Sequence, residues 1–155
     1  MRFLRLYFFL LIPLMIMAEK VEITSDTMQA FEHKKMVNFI GNVTIKQAKS
    51  WIHGNKVIVL FNENNETKQY DAIGKVTFEF RENNHFYKGA AHQVTYHPLR
   101  SVYILKGNAV VDDMINKRHI SGDFITLDLV TGLADVQGAK KKPVKFVFEP
   151  EEKKK

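Results

Sequence analysis

The chain has 155 residues, enough for one domain with or without a leader, and its 45% hydrophobic and 26% charged content is an ordinary globular balance. A net charge of +6 admits an anionic partner: nucleic acid, an acidic membrane or a glycolipid. Cysteine is absent, which excludes disulfides and thiolate chemistry but leaves the compartment open.

The N-terminus speaks to the compartment. Arg2 and Arg5 form a positive region, Leu6 to Met17 is apolar, and Ala18 is a small residue ahead of Glu19-Lys20. This fits a secretory signal over residues 1–18, cleaved after Ala18. The other reading is a retained anchor, but the run of 12 residues is short of the roughly 20 that a spanning helix needs. An exported protein of a Gram-negative cell would then lie in the periplasm.

Val21 to Phe31 reads as a first strand region, with a turn or bulge at Ser25-Asp26. Met36 to Gln47 alternates: Val37, Phe39, Val43 and Ile45 share one phase and Asn38, Asn42, Thr44 and Lys46 the other, with Ile40 breaking the rule. Trp51 to Phe61 is followed by a polar loop, Asn62 to Lys68, and by a strand pair around Gly74, Gln69 to Arg81. Phe86 to Tyr96 and Leu99 to Val111 flank the breaker His97-Pro98. After a polar loop, Ile120 to Leu129 and Leu133 to Gly138 complete the run, and Val144, Phe146 and Phe148 alternate as a last strand. Residues 19–148 therefore form one β domain, and 149–155 a charged, disordered tail. No helix is expected beyond the leader. Many short alternating strands with Gly and Asn turns argue an all-β sandwich, barrel or solenoid.

The strands repeat. Gly41, Gly74 and Gly107 lie 33 residues apart, within Ile40-Gly-Asn-Val43, Ile73-Gly-Lys-Val76 and Lys106-Gly-Asn-Ala109. A second series, Gly54, Gly89 and Gly122, follows 13 to 15 residues behind. Such a period marks units that bury their apolar faces on their neighbours. Behind the first series, apolar residues stand at even offsets. Behind the second they move by one, to Val57, Val59 and Phe61, to Val94 and Tyr96, and to Ile125, Leu127 and Leu129. A slip of one reverses the face. A bulge or corner at each second-series glycine would turn the strands so that the apolar face stays inward. Phe39, Phe61, Phe78, Phe80, Tyr96 and Phe124 then compete for the interior, which is either a closed core or a groove open to an apolar ligand.

Chemistry-bearing patterns are sparse. There is no nucleophile elbow and no acid–base constellation, so no catalytic residue is assigned. The histidines lack metal-ligand spacing; His92 and His97, at an odd offset, would face opposite ways on a strand. No metal site or cofactor is expected. The lysines after Gly138 could meet phosphates, or be a solvated tail. Glu63-Asn-Asn65-Glu-Thr67 holds Asn-x-Thr in a loop with an acid two positions before Asn65, resembling the extended acceptor pattern of bacterial N-glycosylation. Asn42-Val-Thr44 is a second sequon, within a strand.

The leader, the glycine repeat and the phrases Ile40-Gly-Asn-Val43, Ala72-Ile-Gly-Lys-Val76, Lys88 to Tyr96, Leu105-Lys-Gly-Asn-Ala109 and Ser121-Gly-Asp-Phe-Ile125 resemble the LptA/OstA-like family of periplasmic lipopolysaccharide-transport proteins. Ile23 to Met28 is similar to the opening phrase of that family. The resemblance spans about residues 20 to 140. It implies a β-jellyroll of stacked antiparallel strands, twisted and open along one side, without catalysis. The implied cargo is lipopolysaccharide, its lipid A acyl chains shielded in an apolar groove. From the phase, the groove would be lined by Val37, Phe39, Val43 and Ile45; by Val57 and Val59; by Val76 and Phe78; by Val94, Tyr96 and Leu105; and by Ile125, Leu127 and Leu129. The implied partners are inner- and outer-membrane components of the same transport system, joined by strand addition, with head-to-tail self-association and no nucleic acid. The candidate edges are Val21 and Ile23 at one end and Val144, Phe146 and Phe148 at the other. The alternatives are that these strands simply close the domain, with Pro143 and its lysines as edge protection, that the protein is a closed-core adaptor, or that it is the anchored inner-membrane relative.

Overall fold

The computed structural model describes residues 19–82 and 84–151. The expected leader at 1–18 lies outside the described residues, as does most of the charged tail. The described chain is a single antiparallel sheet of ten strands. They are β1 (Val21–Thr24), β2 (Thr27–Phe31), β3 (Met36–Gln47), β4 (Ser50–Phe61), β5 (Thr67–Glu82), β6 (His85–His97), β7 (Val102–Asp113), β8 (Arg118–Asp128), β9 (Leu133–Gln137) and β10 (Lys145–Phe148). A short 3-10 turn, Glu32–Lys34, joins β2 to β3. Strands β3 to β8 form a meander, each paired with the next.

The two ends of the meander are built alike. β2 pairs with the first half of β3 and β1 with its second half, the chain breaking between them at Ser25-Asp26. At the other end β9 pairs with Phe124–Asp128 of β8 and β10 with Arg118–Ser121. β10 begins at Lys145, so Val144 lies just before the last strand rather than within it. β7 begins at Val102 rather than Leu99, because Pro98 to Ser101 belong to the turn and Leu99 is exposed there.

A line of corners crosses the sheet. The register slips between Ile40 and Val43 on β3, Ile73 and Val76 on β5, and Lys106 and Ala109 on β7. At each slip two residues have positive φ: Gly41 and Asn42 (+85°, +46°), Gly74 and Lys75 (+88°, +45°), Gly107 and Asn108 (+81°, +45°). Two residues thus oppose one, the definition of a bulge, and the strand bends. The expectation placed this corner at the second-series glycines; it lies at the first. The slip of phase is real on β4, β6 and β8, where inward residues are three apart (Gly54 and Val57, Ala91 and Val94, Gly122 and Ile125). Two of the second glycines answer a lack of space: a Cβ on Gly89 would stand 2.3 Å from the Phe78 ring, and one on Gly122 2.7 Å from Val136, whereas at Gly54 it would meet nothing closer than 3.4 Å. Gly89 is not the equivalent of Gly54 and Gly122, because Ala91 occupies that place.

Each strand is thereby divided into two halves, and the sheet into two leaves facing one interior. In one leaf the inward rows are Val37, Val59, Tyr70, Tyr96, Tyr103, Leu127 and Phe39, Val57, Ala72, Val94, Leu105, Ile125. In the other, Ile23, Ile45, Ile52, Phe78, Val111, Ile120 and Phe146 share a row. Cross-strand neighbours of this kind are the unit of sheet stability. The buried core is drawn from both leaves.

Candidate functional site: an apolar interior with two open ends

Of the positions expected to line a groove, Val43, Val57, Val59, Val76, Phe78, Val94, Leu105 and Ile125 are buried in mid-interior. Val37, Phe39, Ile45, Tyr96 and Leu127 are half-buried, and Leu129, past the end of β8, is exposed. All but Leu129, Val43 and Val76 lie in the inward rows described above, and Val43 and Val76 are fully buried beside the corners, opposite Gly54 and Ala91. Phe124 does not point inward. It lies opposite Lys106, whose ammonium sits 5.7 Å from its ring centre, on the outer face. Its neighbour Ile125 takes the inward place, as the slip of phase on β8 requires.

The accessible apolar space is at the ends. At the C-terminal end a cavity of about 450 Å³ opens between the leaves, lined by Val111, Ile120 and Phe146 on one side and Leu127, Leu129, Leu133 and Ala134 on the other. At the N-terminal end a smaller cavity, about 100 Å³, is bordered by Val21, Ile45, Trp51, Ile52, Tyr70 and Phe78. Phe80 borders both. Its ring stands edge-on to Tyr103 of the opposite leaf at 5.7 Å and stacks on Tyr87 at 6.5 Å. Tyr103 in turn stacks on Tyr96 at 4.2 Å, and Tyr96 faces Tyr70 at 6.1 Å. These rings make a partition between the two cavities. Burial pushes the Tyr103 hydroxyl well above the ordinary phenol range, and Tyr96 in the same direction.

Among the described residues one charged side chain is buried. Asp113 is buried at the end of β7 and accepts hydrogen bonds from the backbone N–H groups of Ile115 and Asn116, from Asn116 Nδ2 and, at 2.6 Å, from Arg118 Nη2. Burial acts to raise its pKa. The bonds from Arg118 and Asn116 outweigh burial and hold the carboxyl below the usual range. This pair fixes the β7–β8 turn and gives the larger cavity one polar wall. Sequence analysis assigned Asp113 no role. It assigned no partition to Phe80 and Tyr103, since their contact joins β5 to β7, which are not neighbours in the sheet.

Both ends present apolar edges. Val21 is exposed on β1, while Ile23 packs partly against the core. Val144, Phe146, Val147 and Phe148 are all exposed, and the Phe146 and Phe148 rings stack at 5.4 Å. Among the described residues no cluster of His, Asp or Glu is arranged to hold a metal ion.

Comparison with known proteins gives this architecture a family. No curated protein matches the sequence closely enough to be informative. A solved structure of similar shape is LptH of Pseudomonas aeruginosa, described as the LptA-homologous periplasmic component of the lipopolysaccharide transport device. It is 15% identical, with a TM-score of 0.74 over 85% of this chain and 96% of that one, a likeness of fold. The family described as LptA/(LptD N-terminal domain) LPS transport protein matches residues 22–133. The chain belongs to this family of lipopolysaccharide-transport proteins.

Proposed function

We propose that the protein is a periplasmic bridge that binds lipopolysaccharide and carries it from inner to outer membrane, its acyl chains held between the two leaves. The observation that carries this reading is the continuity of the inward apolar rows, which run through every strand of the meander to an accessible cavity at each end. Each methylene exposed to water costs about 0.8 kcal/mol, so an acyl chain needs a dry path. The sugars and phosphates stay in solvent. The protein performs no catalysis and takes no cofactor. β1 and β2 at one end and β9 and β10 at the other offer free edges to membrane-bound components of the same fold and to further copies, head to tail.

A second reading, a closed-core adaptor working by edge pairing alone, draws support from the complete burial of Val43, Val76 and Ile125. Photo-crosslinking in cells separates the two. A photoreactive residue at Phe39, Leu127 or Ile125 gives lipopolysaccharide adducts if the leaves part for acyl chains, and a control at the exposed Lys46 gives none. Adducts at no inward position, with the protein exported and folded, would favour the adaptor. An uncleaved leader would point instead to an anchored relative.

A further inference from the structure

We infer that Asn65 is an acceptor for N-linked glycan, added after export by a membrane-bound oligosaccharyltransferase. The inference rests on export alone and is independent of what the interior binds. Sequence offers two sequons, and the fold treats them oppositely. In Asn42-Val43-Thr44 the Asn42 amide donates to Asp26 Oδ2 at 3.3 Å, Val43 is wholly buried, and the Thr44 hydroxyl is hydrogen-bonded to His53 Nδ1 at 3.0 Å. An enzyme could engage that sequon only by peeling β3 from β4. Asn65 and Glu66 lie at the tip of the β4–β5 hairpin, and Thr67 is the first residue of β5, paired with Phe61. Glu63, Asn65 and Glu66 are exposed.

The turn presents Asn65 outward. Asn62 holds the loop: its side-chain oxygen accepts the N–H groups of Asn64 and Glu66 at 2.9 and 3.0 Å, and its carbonyl accepts Asn65 N–H at 3.0 Å. Asn65 occupies the left-handed region with φ +60°, which asparagine tolerates better than most residues. Its Oδ1 accepts from Lys35 Nζ at 3.1 Å. Its Nδ2, the atom that must react, donates to no described group, and neither does the Thr67 hydroxyl. Glu63, two residues before the acceptor, supplies a carboxylate that a transferase arginine can hold bidentately. The hairpin tip belongs to neither terminal strand pair, so a bulky glycan would leave the edges of the sheet free.

In the transfer, Asn65 Nδ2 forms a bond to the anomeric carbon of an oligosaccharide carried on a polyprenyl diphosphate. The bond from that carbon to the phosphate oxygen breaks, the polyprenyl diphosphate leaves with the electron pair, and one amide proton is released. No oxidant or reductant is needed.

The test is the intact mass of the protein purified from its own cells, followed by peptide mapping. The expected result is one glycan mass above the processed polypeptide, absent from Asn65→Gln, lost or strongly reduced in Glu63→Gln, and retained in Asn42→Gln. Asn65→Gln should fold and melt only slightly below the wild type, since it loses an exposed contact to Lys35 and glutamine tolerates φ +60° less well than asparagine. A wild-type mass equal to the bare polypeptide overturns the inference, as does extra mass that survives Asn65→Gln.

Discussion

Replacing Phe80 by alanine removes the ring that divides the interior. A fully buried Phe→Ala change costs about 3–5 kcal/mol. Phe80 is half-buried, because it faces a cavity on either side, so its burial contributes less than that. Two aromatic contacts go with it, the edge-on pair with Tyr103 and the stack on Tyr87, each worth about 0.5–1.5 kcal/mol beyond burial. A total loss of about 2–3 kcal/mol is expected, seen as a lower denaturant midpoint at unchanged slope. The functional readout uses the single tryptophan, Trp51, which lines the smaller cavity. A long acyl chain brominated near its middle is too bulky for that space and should seat in the larger cavity. Quenching of Trp51 should be weak in the wild type and strong in Phe80→Ala, whose cavities are joined. Equal quenching in both proteins would show that the rings form no barrier. An unchanged midpoint would show that Phe80 is not packed as described.

Gly107→Ala places a Cβ 2.5 Å from the His92 ring at φ +81° and should cost about 1–2 kcal/mol from backbone strain, with more from the clash. Gly132→Ala, at φ +75° with nothing near, should cost only the strain, so thermal melts of the pair separate the two effects. Asp113→Asn should cost about 1–2 kcal/mol at neutral pH, since the Arg118 partner is half-exposed and its share is discounted. The Asp113 pKa is depressed on folding, so its contribution is present above the unfolded value near 3.9 and lost as pH falls through the folded one. Acid titrations of stability should therefore be shallower in the variant. Tyr103 is shifted the other way. Its contribution is intact below about pH 10 and lost as pH rises, and Tyr103→Phe should remove that part of the alkaline loss of stability.

Much of this architecture is legible in the chain. Alternation located most of the long strands, because one face of each is buried and a slip of one residue would expose it, but the strand pair expected around Gly74 is one strand, β5, bent at its bulge. The repeat of Gly41, Gly74 and Gly107 marked a recurring corner. The position of that corner was misread because two signals coincide there. The phase changes on β4, β6 and β8, but the left-handed pair that makes the bend sits on β3, β5 and β7, opposite Asn55, His92 and Asp123. Only pairing between strands reveals which partner is bulged. The same limit explains Phe124: counted from Gly122 by simple alternation it falls inward, and counted across the corner it falls outward. The partition of Phe80 and Tyr103 was out of reach, since β5 and β7 are separated by β6 and meet only when the leaves close.

The corners and the ends belong to one physical problem. A sheet that folds over a shared interior buries its apolar rows along the middle, but the first and last strands have a partner on one side only. Proteins usually blunt such edges with charge, proline or a covering segment. Here Pro143 and Lys140 to Lys142 precede β10, while within the strand Phe146, Val147 and Phe148 are exposed on both faces and only Lys145 carries charge. Phe146 continues the row of Ile120 and Val111, so among the described residues the interior surface extends to the last strand without a closing layer. β1 ends the same row at Ile23, with Val21 exposed beside it. A strand added to either edge would prolong both the hydrogen-bond ladder and the apolar row. The glycine corners make that extension possible in register: because the bend recurs at one place on successive strands, a second copy docked on β9 and β10 by its own β1 and β2 would align its leaves with these, and the interior would continue across the junction.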